Sequence, residues 1–230
     1  MKIVDAVIIL FLLLGAAIGF KRGFIRTLVS FIGVFITIIL AFYLKGPVVN
    51  FMYEFLPFFN YGGFTILNVF VYESIAFLLV YIILASILGI IINITGIVEK
   101  ILKLTVILGL LSKVLGAIAG VLEMLLFIFI STFVLARFNF SKPYIMESKA
   151  ARVILARTPV ISGIAAPTYL ALDEIYKLQK DYANTEDKEQ YNIESLRILV
   201  KYRIVSKDQA RKFVNDGKIK LSNPNGFVIM

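Results

Sequence analysis

A single carboxylate, Glu123, stands near the middle of an otherwise uncharged run from about Val114 to Ala136. In hydrocarbon such a charge costs at least about 2.5–3.5 kcal/mol, so it marks an ion path, a proton site or a buried pair. A plainer reading stands beside these: a carboxyl group hydrogen-bonded to a neighbouring Ser, Thr or Asn as a tie between helices. No Lys or Arg lies at matching depth, which argues against a full salt bridge. Asp5 and Glu73 sit near the ends of apolar runs, where a carboxylate can reach water, and are read as structural. Asn93, with Thr95 and Gly96 beside it, completes the intramembrane polar candidates and marks a place where a helix could break.

The chain contains no Cys and no His. That removes Cys/His and Ser/His nucleophile pairs, His-containing zinc sites, imidazole proton shuttles and disulfides together. The segment GLLSKVLG, residues 109–116, lacks the Lys-Ser/Thr ending of a phosphate-binding loop. A hydrolase built in the membrane on Ser and Lys, or on two carboxylates, would need paired positions, and the sequence offers none. The chain is therefore read as a non-enzyme with no catalytic residue, cofactor or metal.

The elements that carry these residues follow from composition. Of 230 residues 60% are hydrophobic and 17% charged, with a mean hydropathy of +0.89; soluble domains carry about 25% charged residues, so lipid is the solvent for much of this chain. About 20 apolar residues span the bilayer core. Four stretches qualify, from about Val4 to Phe20, from about Thr27 to Leu44, between Glu73 and Glu99, and from about Val114 to Ala136. Residues 97–111 repeat Ile97, Ile101, Leu104, Leu108 and Leu111 at helical spacing among Glu99, Lys100 and Lys103, which predicts a helix lying in the inner interface, with a re-entrant or fifth spanning helix as the alternative. The fold class is all-α: a polytopic bundle of about four transmembrane helices, an interfacial helix and a helical C-terminal tail.

Lys21, Arg22 and Arg26 form a positive cluster after the first apolar run, whereas a cleaved signal peptide carries its charge before it. Such a cluster stays in the cytoplasm, so the first two helices form a hairpin with its turn at Gly23 inside and the N-terminus outside. The connection 45–72 then lies outside, with Tyr43, Phe51, Tyr53, Phe55, Phe58, Phe59 and Tyr61 as an interfacial belt, and Pro47, Pro57, Gly62 and Gly63 breaking any long helix. Four spans return the tail to the outside; its excess of Lys and Arg opposes this, but long segments translocate largely regardless of charge. The net charge of +9 is scattered and lacks aromatic interleaving, so no nucleic acid is expected as a partner.

Gly15, Gly19 and Gly23 recur every fourth residue and share a face with Asp5. Ser112, Gly116 and Gly120 repeat the device, and Glu123 projects from the same face of its helix. Small residues let backbones approach where lipid gives no hydrophobic drive, which predicts contact between the first and fourth spans, within one chain or across a homo-oligomer.

Two segments carry a family resemblance. DAVIILFLLLGAAIGFKRGFIRTLVSFIGVF, residues 5–35, places an Asp near the start of a span, then Gly15, Gly19 and a Lys-Arg-Gly-Phe turn; LLSKVLGAIAGVLEMLLFIF, residues 110–129, leads the fourth span. Together they resemble the colicin V production protein family, the CvpA-like bacterial inner-membrane proteins, over about residues 1–136. The resemblance implies a four-helix membrane module with a role in toxin production or export and in envelope maintenance, and no established enzymatic activity. Some relatives attach an extracytoplasmic trypsin-like protease. The tail here lacks His and is too short for that fold, so its activity is not carried over.

Three regions follow: a bundle at 1–136, an amphipathic and linker segment at 137–167, and a small helical region at 168–230. Residues 144–157 read as an amphipathic helix suited to a membrane surface, Pro159, Gly163 and Pro167 as a linker, 168–183 as a helix, and 184–190 as a loop. Residues 192–216 read as a helical hairpin, with Ser206 and Gln209 as a capping box, Gly217 as terminator, and too little apolar surface to stand alone. The functional expectation is a scaffold or assembly factor in contact with the lipid bilayer, a homo-oligomer or a partner of secretion or envelope proteins. The alternative is a small channel or secondary transporter that uses Glu123.

Overall fold

A computed structural model describes residues 3–60, 62–95, 109–138, 140–182, 188–219 and 221. Ten helices and no strands occur among them. Helix α1 (Ile3–Arg22), α2 (Phe24–Leu44), α4 (Leu67–Thr95) and α5 (Gly109–Leu135) are each long and apolar enough to cross a membrane. The chain is thus a multi-pass membrane protein. Exposed Leu10, Leu13, Ile36, Ile82, Ile83 and Ile90 clothe the bundle with side chains that only acyl chains can solvate.

Helix α5 is the centre of the bundle. It packs extensively on α1 and on α2, which scarcely touch each other, while α4 leans on α2 from the far side. At the end away from the basic turn, Phe42 of α2 fills the space between Phe77 of α4 and Phe133 of α5, at centroid separations of 4.7 and 5.1 Å. Between α2 and α4 runs α3 (Gly46–Phe55), with Pro47 in its first turn, where a missing N–H is harmless. The third span starts earlier than predicted, at Leu67, which places Glu73 inside the helix. Its backbone also stays helical through Thr95, so a break falls at neither Asn93 nor Thr95. Gly96 and residues 97–108 of the predicted interfacial helix lie outside the described residues, and α5 begins at Gly109.

The tail departs from the sequence reading in three places. The predicted helix over 144–157 is two, α6 (Lys142–Glu147) and α7 (Lys149–Arg157), divided at Ser148, whose hydroxyl caps α7 by accepting from the Ala151 N–H at 3.0 Å. The apolar side of α7 (Ala151, Ile154 and Leu155) is buried against α1, α5 and the next helix, so it is not offered to a membrane surface. The linker at 159–167 is instead the start of α8 (Ile161–Asp181), with Pro167 in its interior. Proline there removes a hydrogen bond to Gly163 and crowds its carbonyl. Both residues lie on the exposed side of α8, where solvent can satisfy the freed carbonyl. Val160 enters α8 at φ 63 through a tight turn in which Ile161 N donates to Pro159 O at 2.7 Å.

Helices α9 (Lys188–Lys201) and α10 (Lys207–Asn215) form the C-terminal hairpin, α9 starting inside the predicted 184–190 loop, of which 184–187 lie outside the described residues. Ser206 and Gln209 make the reciprocal capping bonds. The hairpin lies over α3: Gln209 Nε2 donates to Asn50 Oδ1 at 2.7 Å, Lys218 reaches the carbonyls of Tyr53, Glu54 and Leu56, and Phe213 stands on edge to Tyr53 at 5.0 Å. Bundle and tail share one continuous buried core.

Candidate intramembrane site

Glycine sets the geometry around Glu123. Helices α1 and α5 run antiparallel, with Gly15 against Gly120 and Gly19 against Gly116. A Cβ at Gly15 would lie 2.6 Å from the Gly120 carbonyl oxygen, and one at Gly19, Gly116 or Gly120 would likewise collide with the facing backbone. No larger residue fits this seam without driving the helices apart. Gly23 ends α1 at φ +82, a conformation that glycine takes without a Cβ clash, and the turn docks on α5 because Phe24 N donates to Ser112 Oγ at 3.2 Å. The structure therefore brings Gly15, Gly19, Gly23, Ser112, Gly116 and Gly120 into one contact within a single chain.

Close approach of α1 and α5, with α2 alongside, puts three polar groups together in the bundle. Ser30 Oγ of α2 donates to Glu123 Oε1 at 2.6 Å, and Arg22 Nη1 of α1 lies 3.9 Å from the same oxygen. No Lys or Arg lies at the depth of Glu123, yet Arg22 approaches it, at a distance longer than a hydrogen bond. The register of the seam places the Cα of Arg22 roughly 15 Å nearer the basic end than that of Glu123, at 1.5 Å per residue. Side chains on a helix lean towards its N-terminus. In antiparallel helices Arg22 therefore leans towards mid-membrane and Glu123 towards the basic end, and two long side chains close the gap.

Glu123 is 22% exposed and Arg22 47%. They border a cavity of about 200 Å³ whose other walls include Gly15, Val34, Tyr81 and Phe127. A countercharge and a hydroxyl donor lower the penalty of a carboxylate at this depth, and the three groups tie α1, α2 and α5 at one point. Lys21 and Arg26 remain exposed at the turn. Asn93 lies on α4, and its side chain is outside the described residues. Among the described residues no group of His, Cys, Asp and Glu could hold a metal ion.

The opposite end of the bundle holds a second charged cluster. Lys45 donates to Glu73 Oε2, Tyr53 OH lies 3.4 Å from Glu73 Oε1, and Arg137, fully buried, donates from Nη1 to Ser74 Oγ at 3.1 Å while its guanidinium covers the Phe133 ring at 4.0 Å. Burial pulls the Lys45 ammonium below its usual range against the opposing pull of Glu73, and lowers Arg137 to about 10. Glu73, read from its place near a span end as able to reach water, is instead buried and ion-paired. Lys45 and Arg137 were legible only as the residues bounding two spans.

Asp5 is also tied. Its Oδ1 accepts from Ser148 Oγ at 2.5 Å and from the Ala150 N–H at 3.1 Å, which sets a carboxylate on the N-terminus of α7. The partner lies 143 residues away in the chain, so spacing alone could not reveal it.

Comparison with curated proteins and with solved structures found no match. The family model described as Colicin V production protein does match, over residues 4–159. The match passes the limit of about 136 at which the resemblance was legible and takes in α6 and α7, the two helices that Asp5 and α5 hold to the bundle. Covering more than half of the sequence, from the first span to the Asp5-capped helix, the match establishes that this chain belongs to the colicin V production protein family.

Proposed function

We propose that this protein is a non-catalytic scaffold or assembly factor of the bacterial inner membrane, serving toxin production or export and envelope maintenance. The reading draws on the family and on two observations: the glycine seam holds α1 and α5 in close backbone contact, and the tail is seated on the bundle end opposite the basic turn. A closely packed bundle that carries a folded cap suits holding partners in place better than moving a solute through itself. The cap, α8 to α10, is the interaction surface, extracytoplasmic together with the N-terminus, while Lys21, Arg22 and Arg26 face the cytoplasm. Its partners are further copies of the chain or proteins of the secretion and envelope machinery. Crosslinking in intact membranes through residues substituted on the exposed side of α10 tests this; a chain that stays a monomer and joins no envelope protein would count against it.

A second reading, a small channel or proton-coupled transporter, is favoured by the cavity beside Glu123 and Arg22. Liposome flux compared between the native chain and Glu123→Gln separates the two, because absence of flux from both removes the transporter.

A further inference from the structure

The basic end of the bundle contains a second cavity, of about 400 Å³, on the α2–α4 side. Gly33 of α2 meets Leu88 of α4 closely, since a Cβ there would lie 3.0 Å from Leu88 Cδ2. One turn nearer the basic end, Val29 and Ile92 no longer close the space but line the cavity. Among the described residues its polar wall is Arg22, Arg26 and Ser30. Cations thus border a gap whose other described walls, Val29 and Ile92, are apolar, and Ile87, Ile90 and Ile91 on the same helix as Ile92 are exposed.

We propose that this gap binds one anionic phospholipid, with the phosphodiester between Arg22 and Arg26 and an acyl chain lying along Val29 and Ile92. Charge supports a monoanion: Arg22 and Arg26 carry two positive charges, Glu123 offsets one, and a single phosphodiester balances the remainder. Guanidinium groups match phosphate oxygens in planar, two-point geometry. Ser30 is committed to Glu123 and does not serve the phosphate. Basic pockets between transmembrane helices at the headgroup level bind anionic lipids in this manner. A free anion leaves the apolar walls unfilled, and a second copy of the chain would bring its own basic turn against this one.

Glu123 regulates the site, because its carboxylate competes with the lipid for Arg22. The full-length protein, delipidated in mild detergent, is titrated with phosphatidylglycerol and with phosphatidylcholine of the same chains, and retained lipid is read by native mass spectrometry. Phosphatidylglycerol is retained at one molecule per chain. The double variant Arg22→Gln, Arg26→Gln reduces that retention by about tenfold or more, to the phosphatidylcholine level. Lys21→Gln, in the same turn but outside the cavity, leaves it unchanged, and Glu123→Gln raises it. Thermal melting of each variant confirms that it is folded. Equal retention of the two lipids, a loss with Lys21→Gln matching that of the double variant, no gain with Glu123→Gln, displacement of the lipid by excess inorganic phosphate, or a dimer that excludes lipid would each overturn the proposal.

Discussion

Replacing Asp5 by Ala removes two bonds from a carboxylate to the start of α7, one of them from the Ser148 hydroxyl that also caps that helix. Charge-assisted bonds of this kind contribute about 1.5–3 kcal/mol, so Asp5→Ala lowers the melting temperature in detergent and exposes the segment around Ser148 to protease, whereas Asp5→Asn retains part of the effect. Lys142 gives a pH signature. Burial lowers its ammonium from 10.5 to about 8 as it lies over the Tyr176 ring, 3.4 Å from Gln179 Oε1. Between these two values the unfolded chain keeps a proton that the folded chain has released, so stability rises with pH across the window and the destabilisation is fully present below pH 8. Denaturation at pH 7 and at pH 10 measures it, with a difference on the order of 3 kcal/mol at most, and Lys142→Met abolishes that part of the slope. Neither site could be found from local pattern. Asp5 reads as a span-end carboxylate and Lys142 as one lysine before a proline, because what defines each is a neighbour brought in by tertiary folding.

At the scale of helices, the spans and the glycine seam were legible because both depend on local periodicity: an apolar run of sufficient length, and small residues every fourth position. Two glycines in long apolar helices now separate the seam from mere composition. Gly19 faces the Gly116 backbone, and Gly89 of α4 has nothing within 4 Å of where a Cβ would stand. Gly19→Ala is expected to destabilise the bundle by several kcal/mol or prevent its assembly, while Gly89→Ala is neutral or improves stability by up to about 1 kcal/mol through helix propensity. Melting of the two variants in one detergent decides the matter. The Arg22–Glu123 pair escaped the sequence because depth was judged from backbone position, and the lean of side chains in antiparallel helices adds reach from both ends. Reading 159–167 as a linker failed for a related reason: proline punctuation is a local rule, and burial of Ile161, Ala165 and Thr168 on the other side of α8 overrides it. The turn at Val160 bears the strain of that arrangement, so Val160→Gly is expected to raise stability by about 1 kcal/mol in the same melting assay.

Among the described residues there are four spans, and the tail rests on the ends of α1, α2, α4 and α5 that lie away from Lys21, Arg22 and Arg26. Residues Lys21 and Asp216, both exposed, must then lie on opposite sides of the bilayer. A chain without Cys makes the measurement clean: single-cysteine variants Lys21→Cys and Asp216→Cys, treated with a membrane-impermeant maleimide on spheroplasts, should label only at 216, and labelling of both or of 21 alone would refute the sidedness. Buried residues on both sides of 136 and 167 belong to one cluster, and residue 167 lies inside α8. The bond from Asp5 to Ser148 also has a consequence in time. A ribosome adding about 5–20 residues per second needs roughly 7–30 s to travel from one partner to the other. Throughout that interval the first hairpin waits with its anionic latch open, available to chaperones or to a sister chain, and the nascent protein shuts only when residues 148–150 arrive.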